Sequence, residues 1–387
     1  MERNNVKKQV EQGIEAVQQA APQTNLSYFA ELWTAFLTGP PQHDLHYIAV
    51  LGTGIPEIYL RACGLVPIYL FGGSFFSNAS TDEIFPPISD PTIKSATGLL
   101  VSKEIPLLNS INTVAISAPN IDTLKIQAYL RAAGYSVLAL DREPIPHQTM
   151  PSFYRDMQMN FLLQVEAVAG NAPSIEELLY EADLETRAHY ALHRLDETDL
   201  PQLIKTFVRQ SYYIAADREA WLWQLELLIQ QSGPSAGEAL LLIGSPISFP
   251  NMKIPNVLQE VHITHYRNRC STLSPQDYSA LFQNPIESLP ELLEQLHQIH
   301  YSTCNSDIYA FYPEDLRGIS GVVFHLLKGQ VNWAFEAEKM EKRAIRLGIP
   351  FLCVETDYSD ADHEQVKVRI EGFSELLQKK YGKEITL

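Results

Sequence analysis

Apolar positions along this chain follow two periods. Between residues 5 and 38 they recur every three or four places: Val10, Ile14, Val17 and Ala21, then, after a break near Pro22, Tyr28, Leu32, Phe36 and Leu37. That spacing predicts a helix face, and Gly39-Pro40-Pro41 ends it. Beyond this point the pattern changes to short continuous apolar runs, at 46–51, 66–71, 113–117 and 137–140. Such runs predict strands buried on both faces. The stretches between them, 56–62, 93–103 and 123–133, are helical in pattern. Strands alternating with helices of about ten residues imply a parallel sheet with helices on its faces.

One unit recurs three times. A helix, a glycine and a strand follow one another at 58–70, 126–141 and 341–355, with Gly64, Gly134 and Gly348 at the junctions. Glycine there suits the left-handed turn that stops a helix. Residues 152–232 are mostly helical in pattern. Phe161, Leu162, Val165 and Val168 share one face, and Ser174-Ile175-Glu176-Glu177 has the form of a capped helix start. Trp221-Leu222-Trp223 is either a packed helix or a contact surface. After Gly233-Pro234 a second set begins, with strands expected at 240–243, 261–264, 322–324 and 351–355 and helices at 290–301 and 333–347.

The predicted fold class is α/β, with two doubly wound, Rossmann-like parallel-sheet lobes. An N-terminal helical segment (1–45) precedes the first lobe (46–150), and a helical bridge (151–234) leads to the second (235–387). Two such lobes place a cleft at the carboxyl ends of their strands.

Composition narrows the function. The 387 residues are 45% hydrophobic and 19% charged, with a net charge of −17. An acidic chain lacks the basic face that nucleic acid or an anionic membrane requires. The N-terminal residues lack the apolar stretch of a signal peptide. No apolar run reaches the roughly 18 residues of a membrane span. Cys63, Cys270, Cys304 and Cys353 are far apart with no CxxC, which fits a reducing, cytoplasmic location.

Candidate chemistry is sparse. Gly52-Thr53-Gly54-Ile55-Pro56-Glu57 follows a strand and opens a helix. Its free amides suit a phosphate or carboxylate, although a plain strand-to-helix turn with Pro56 at the first helical position explains it too. Gly72-Gly73-Ser74 permits close approach of a ligand or is a flexible turn. His262 and His265 lie three apart in an expected strand and so on opposite faces, which disfavours a metal. Asp357, Asp360 and Asp362 lack the glycine and distal glutamate of a calcium loop and suit helix capping. His325 ends a strand where ligand-contacting residues of such sheets stand. Cys353 and Cys63 read as packed thiols.

Several segments together resemble the 2-hydroxyacyl-CoA dehydratase and benzoyl-CoA reductase family, in particular the D-component of 2-hydroxyglutaryl-CoA dehydratase. Pro56-Glu57, Ala62, Gly64 and Pro67 look like one family segment, and Pro91, Ile93-Lys94-Ser95 and Gly98 like another. His325-Leu326-Leu327-Lys328 and Glu355-Thr356-Asp357-Tyr358-Ser359-Asp360 carry the likeness in the second lobe. Gln365, Arg369-Ile370-Glu371 and Phe373 follow the latter. The resemblance runs from about residue 46 to 380.

The resemblance implies paired related subunits, usually each with a [4Fe-4S] cluster held between its lobes on three cysteines. It also implies a CoA thioester substrate, an ATP-driven activator that supplies one electron, and a ketyl radical that makes loss of the hydroxyl possible. Soft thiolates suit such clusters. The three family cysteine positions here read Asp90, Ile121 (or Asn120 with a one-residue slip) and Gln330. The resemblance thus predicts a chain without its own cluster or metal, acting as a partner to a related subunit (homodimer or heterodimer) or as an acyl-CoA-binding protein. The alternatives are a catalytic dehydratase or reductase subunit with unusual ligands, or a two-lobed protein whose ligand is unrelated to CoA. The expected cleft walls are Gly54 and Glu57, Gly72 to Ser74 and Asp90 from the first lobe, and His325, Lys328, Gln330 and Glu355 from the second. Glu57 is the expected proton-transfer group.

Overall fold

The computed structural model describes residues 5–40, 42, 44–86, 89–117, 121–140, 151–235, 237, 239–270, 273–304 and 316–382. Residues 5, 121, 151 and 302–304 are described by backbone alone. The four apolar runs of the first lobe are β1 (His46–Leu51), β2 (Leu65–Tyr69), β3 (Thr113–Ser117) and β4 (Ser136–Leu140). They lie in the order β2-β1-β3-β4, every pair parallel. Before them come α1 (Asn5–Ala20) and α2 (Ser27–Thr38). Between them run α3 (Glu57–Ala62), α4 (Phe75–Ala79), α5 (Pro91–Val101), α6 (Pro106–Asn109) and α7 (Ile121–Ala132).

The bridge is four helices, α8 (Pro151–Ala169), α9 (Ile175–Asp196), α10 (Gln202–Ser211) and α11 (Arg218–Gln230). The second sheet is β5 (Leu240–Gly244), β6 (Arg267–Arg269), β7 (Gly321–Leu327) and β8 (Phe351–Thr356). Its order, β6-β5-β7-β8, repeats that of the first, again with every pair parallel. Its helices are α12 (Lys253–Glu260), α13 (Leu289–Cys304), α14 (Val331–Leu347) and α15 (His363–Tyr381). The strand order reverses beside β1 and beside β5, which opens a crevice at the carboxyl end of each sheet.

Side chains on β5 alternate between two cores, as the strand period requires. Leu240 and Leu242 join the large core shared by the first lobe, the bridge and α12 and α15. Leu241 and Ile243 join a smaller core with Phe324 and, on α14, Trp333, Ala337 and Met340. Gly64, Gly134 and Gly348 take φ of 77°, 92° and 67°, so the recurring helix–glycine–strand unit is built as its spacing predicts. Ser174 and Glu177 form a reciprocal capping box at the start of α9. Trp221 is buried, whereas Trp223 is 61% exposed.

One expected strand is not there. Residues 261–264 follow the end of α12: Val261 caps it, His262 takes φ of 64°, and the Ile263 amide returns to the Leu258 carbonyl at 2.8 Å. The apolar Val261 and Ile263 imitate a strand, but they flank a left-handed helix stop with histidine in the place glycine usually takes. The strand in its stead, β6, is Arg267-Asn268-Arg269 at the sheet edge. No helix among the described residues is long and apolar enough to cross a membrane.

Candidate functional site

Two of the three positions expected to have held cysteines meet across the lobes. Asp90 caps α5, where one carboxylate oxygen accepts the Thr92 amide at 2.8 Å and the Thr92 hydroxyl as well. Gln330 precedes α14 at the end of the β7 turn. Its side-chain amide donates to both Asp90 oxygens, at 3.0 and 3.1 Å, and to Thr92 Oγ1 at 3.1 Å. Asp122, in the first turn of α7, lies beside them, with its carboxylate 3.4 Å from Ser89 Oγ and 3.5 Å from the Asp90 amide. Ile121 is the first residue of α7, but its side chain lies outside the described residues, as does Asn120 altogether. The turn at Gly329 packs within reach of Pro91 and Ser89. The Tyr358 hydroxyl is buried nearby without a partner; burial, and then the Asp90 charge, push it well above its ordinary value.

This donor set does not fit a thiolate-held cluster. The two described positions offer one carboxylate, already engaged by an amide and a hydroxyl, and one carboxamide; the neighbouring Asp122 adds a second carboxylate, and none of the three is a thiolate. Thiolate, not thiol, is the ligand form. Burial pushes the Cys63 thiol up to about 12 and raises Cys270 and Cys353 too. The Cys304 side chain lies outside the described residues. Among the described residues, no group of three His, Cys, Asp or Glu side chains is placed to hold a metal, and that includes His262 and His265.

The second lobe's residues gather around a buried ammonium that the sequence did not single out. Lys253, at the start of α12, donates to Thr356 Oγ1 at 2.8 Å, the Asp357 carbonyl at 2.7 Å, the Ser359 carbonyl at 2.5 Å and Asp362 Oδ1 at 2.6 Å. Asp362 is therefore an anchor for Lys253; the aspartates here supply no side-chain cap to α15. Lys328 is half exposed and pairs with Asp357 at 2.9 Å. Burial raises the Asp357 carboxyl, but the Ser359 and Lys328 contacts outweigh it and bring the group to about 2. Glu355 is exposed. His325 is buried, with Nδ1 2.8 Å from the Ser245 carbonyl, and burial lowers it to about 4, so it is neutral near pH 7.

The remaining first-lobe residues fall into two separate places. Gly72, Gly73 and Ser74 are closed off. Ser74 is fully buried, its amide donates to Ser95 Oγ at 3.0 Å, and its hydroxyl donates to Gln9 of α1 at 2.7 Å. A Cβ on Gly73 would stand 2.4 Å from the Ser248 carbonyl, so glycine is what lets the lobes touch there. Gly54, with φ of 81°, sits in the turn before α3. Glu57 opens α3 but faces the bridge. Arg61 Nε lies 2.6 Å and Arg218 Nη2 2.5 Å from the same carboxylate oxygen, and the Arg218 guanidinium lies over the Tyr212 ring at 3.3 Å. Burial raises the Glu57 carboxyl, but Arg218 and then Arg61 more than offset it, leaving it below its ordinary value. A carboxylate held in that form is a poor proton donor near pH 7.

Thr92 was legible in principle, because Asp-Pro-Thr is a capping sequence. Gln9 and Lys253 carry no local signal. Replacing Gln330 with alanine removes the interlobe hydrogen bonds and leaves Asp90 with Thr92 alone. Denaturation is expected to show a loss of about 1–3 kcal/mol; an unchanged midpoint would mean that the lobes do not depend on this link.

Against known proteins, the family model for 2-hydroxyglutaryl-CoA dehydratase, D-component, matches residues 53–377. No curated protein matches the chain.

Proposed function

Because the chain belongs to the 2-hydroxyglutaryl-CoA dehydratase D-component family, we propose that it is a dehydratase-family subunit without an iron–sulfur cluster of its own. In this reading it serves as a partner to a related subunit, or binds an acyl-CoA, in a dehydration or reduction system. The observation that carries the proposal is the Gln330–Asp90–Thr92 hydrogen-bonded set, which occupies two of the three positions where the resemblance expects thiolates. Family chemistry of this kind belongs to the cofactor, and the protein supplies ligands and shape. A chain that lacks the ligands retains the shape: two sheets of like order, with crevices at their carboxyl ends.

In the same reading the retained cleft is walled by Asp90, Gln330, His325, Lys328 and Glu355. Glu57 has a structural role, as the anion between two buried guanidiniums. Such a protein is expected in the cytoplasm beside its partner.

The test is iron and acid-labile sulfide on protein purified without oxygen and then incubated with iron, sulfide and thiol. The expected result is a colourless protein with iron far below stoichiometry. A stoichiometric cluster with its visible absorption would overturn the proposal and restore the catalytic reading with unusual ligands.

A further inference from the structure

One face of α9 holds the segment 275–278 of the second lobe at four points. Glu185 Oε1 accepts the Gln276 amide at 2.8 Å, and Thr186 Oγ1 accepts the Tyr278 amide at 2.9 Å. The Tyr190 hydroxyl donates to Asp277 Oδ2 at 3.0 Å. His189 Nδ1 lies 2.9 Å from the Pro275 carbonyl oxygen. A carbonyl only accepts, so Nδ1 carries the proton and the neutral ring keeps its lone pair on Nε2. Proteins orient a metal-ligating histidine in this way, by giving its other ring nitrogen a carbonyl or carboxylate.

His193 supplies the second half of a chelate. It stands four residues on, the spacing that places two histidines of a helix on one face for one ion. The two ring centroids are 4.6 Å apart, with the planes at 63°. Two imidazoles that share an ion at about 2.1 Å per nitrogen hold their centroids roughly 4.5–5.5 Å apart, so the pair needs little movement to close on one. His193 is exposed, and among the described residues its ring has no hydrogen bond that an ion would have to break. Of the cations beside it, Arg209 is paired with Asp196 at 2.6 Å, and Arg269 opposes a second positive charge and limits the affinity. Asp277 is taken up by Tyr190 and by the Ser279 amide at 2.9 Å, which leaves water to complete the coordination. Tyr190 stands where a hydrolytic His-Glu-x-x-His helix has its glutamate, so the pair has no base beside it and holds an ion without reacting.

We propose that His189 and His193 bind one divalent transition-metal ion, and that the ion braces α9 where it holds the 275–278 segment. Two imidazoles without a thiolate suit zinc, nickel or copper(II). The spacing exists only while α9 is helical, so the ion binds the folded chain and stabilises it. The inference goes beyond the subunit reading and does not depend on it.

The experiment is calorimetric titration of the untagged full chain, first stripped with a chelator, with zinc and separately with nickel. One equivalent is expected per chain, with a raised melting temperature at saturating metal. His193→Ala and His189→Ala are each expected to weaken binding about tenfold or more, at least the effect of losing a group that orients a ligand, and to abolish the melting shift. His193→Ala removes an exposed ring and is expected to melt like the wild type without metal. His193→Cys keeps a ligand in the same place and is expected to retain zinc. If His189→Ala fails to fold, because it also loses the Pro275 bond, the two His193 variants decide. No uptake at millimolar metal, or uptake that His193→Ala leaves unchanged, overturns the proposal.

Discussion

Replacing Glu57 with glutamine is expected to cost about 3–5 kcal/mol of folding stability, the range for breaking a buried ion pair by removing one partner. The carboxylate is 5% exposed, and the Arg61 and Arg218 side chains are 9% and 1% exposed. An amide keeps the size and one acceptor but leaves two guanidiniums with no anion between them. Arg218 has two further nitrogens, Nε and Nη1, buried without a hydrogen-bond partner, so losing the carboxylate adds to a demand already unmet. Chemical denaturation near pH 7 measures the loss. A midpoint within about 0.5 kcal/mol of wild type would place the effect among ordinary surface substitutions, and the pair would then be dispensable.

The same substitution has a pH signature. The folded Glu57 carboxyl lies below its ordinary value of 4.5. As pH falls, the unfolded chain takes up this proton first. Stability from the pair is therefore fully present above pH 4.5 and is lost as pH falls through the lower, folded value. Glu57→Gln lacks this loss. The gap between wild type and variant should be widest near neutrality and close on the acid side. A gap that stays constant to pH 3 would assign the destabilisation to packing instead of charge.

Legibility followed the source of each element's stability. β1 and β3 were readable to the residue, because their buried centres, Ile48 to Leu51 and Val114 to Ile116, are continuous apolar runs. The glycine that stops α14 was readable because a left-handed turn excludes most side chains. β6 was not readable. An edge strand of three polar residues is held by its hydrogen bonds to β5, and nothing in Arg-Asn-Arg records that neighbour. The same limit applied to the site. Asp90 and Gln330 were located one at a time by motif, but their mutual hydrogen bonds span 240 residues of chain. Glu57 was located correctly at a helix start, where its charge is favoured. Its carboxylate is paired with two arginines, one of them from α11, and no local pattern announces a partner 161 residues away.

Lys253→Met should produce the second large effect, again about 3–5 kcal/mol. The lysine side chain is 3% exposed, and its ammonium has three protons to give. Four acceptors converge on it, two of them carbonyls in the turn between β8 and α15. Methionine matches the length of the stem, so the loss isolates the charge from the packing. Asp362, 15% exposed, would keep only Thr356 Oγ1 at 2.9 Å and the distant Lys328 at 3.8 Å. Arginine is expected to restore only part of the stability, because a planar fork cannot replace a point donor surrounded by acceptors. The turn carries one of the family-like segments, and the acceptors are local to it, so the consequence should be local as well as global. Hydrogen exchange in Lys253→Met is expected to speed up across residues 356–363 well before global unfolding, while β1 and β3 keep their protection. Unchanged exchange there, alongside a normal denaturation midpoint, would mean that the turn holds its shape through the Asp357–Ser359 and Asp357–Lys328 bonds alone, and that the ammonium is not what fixes it.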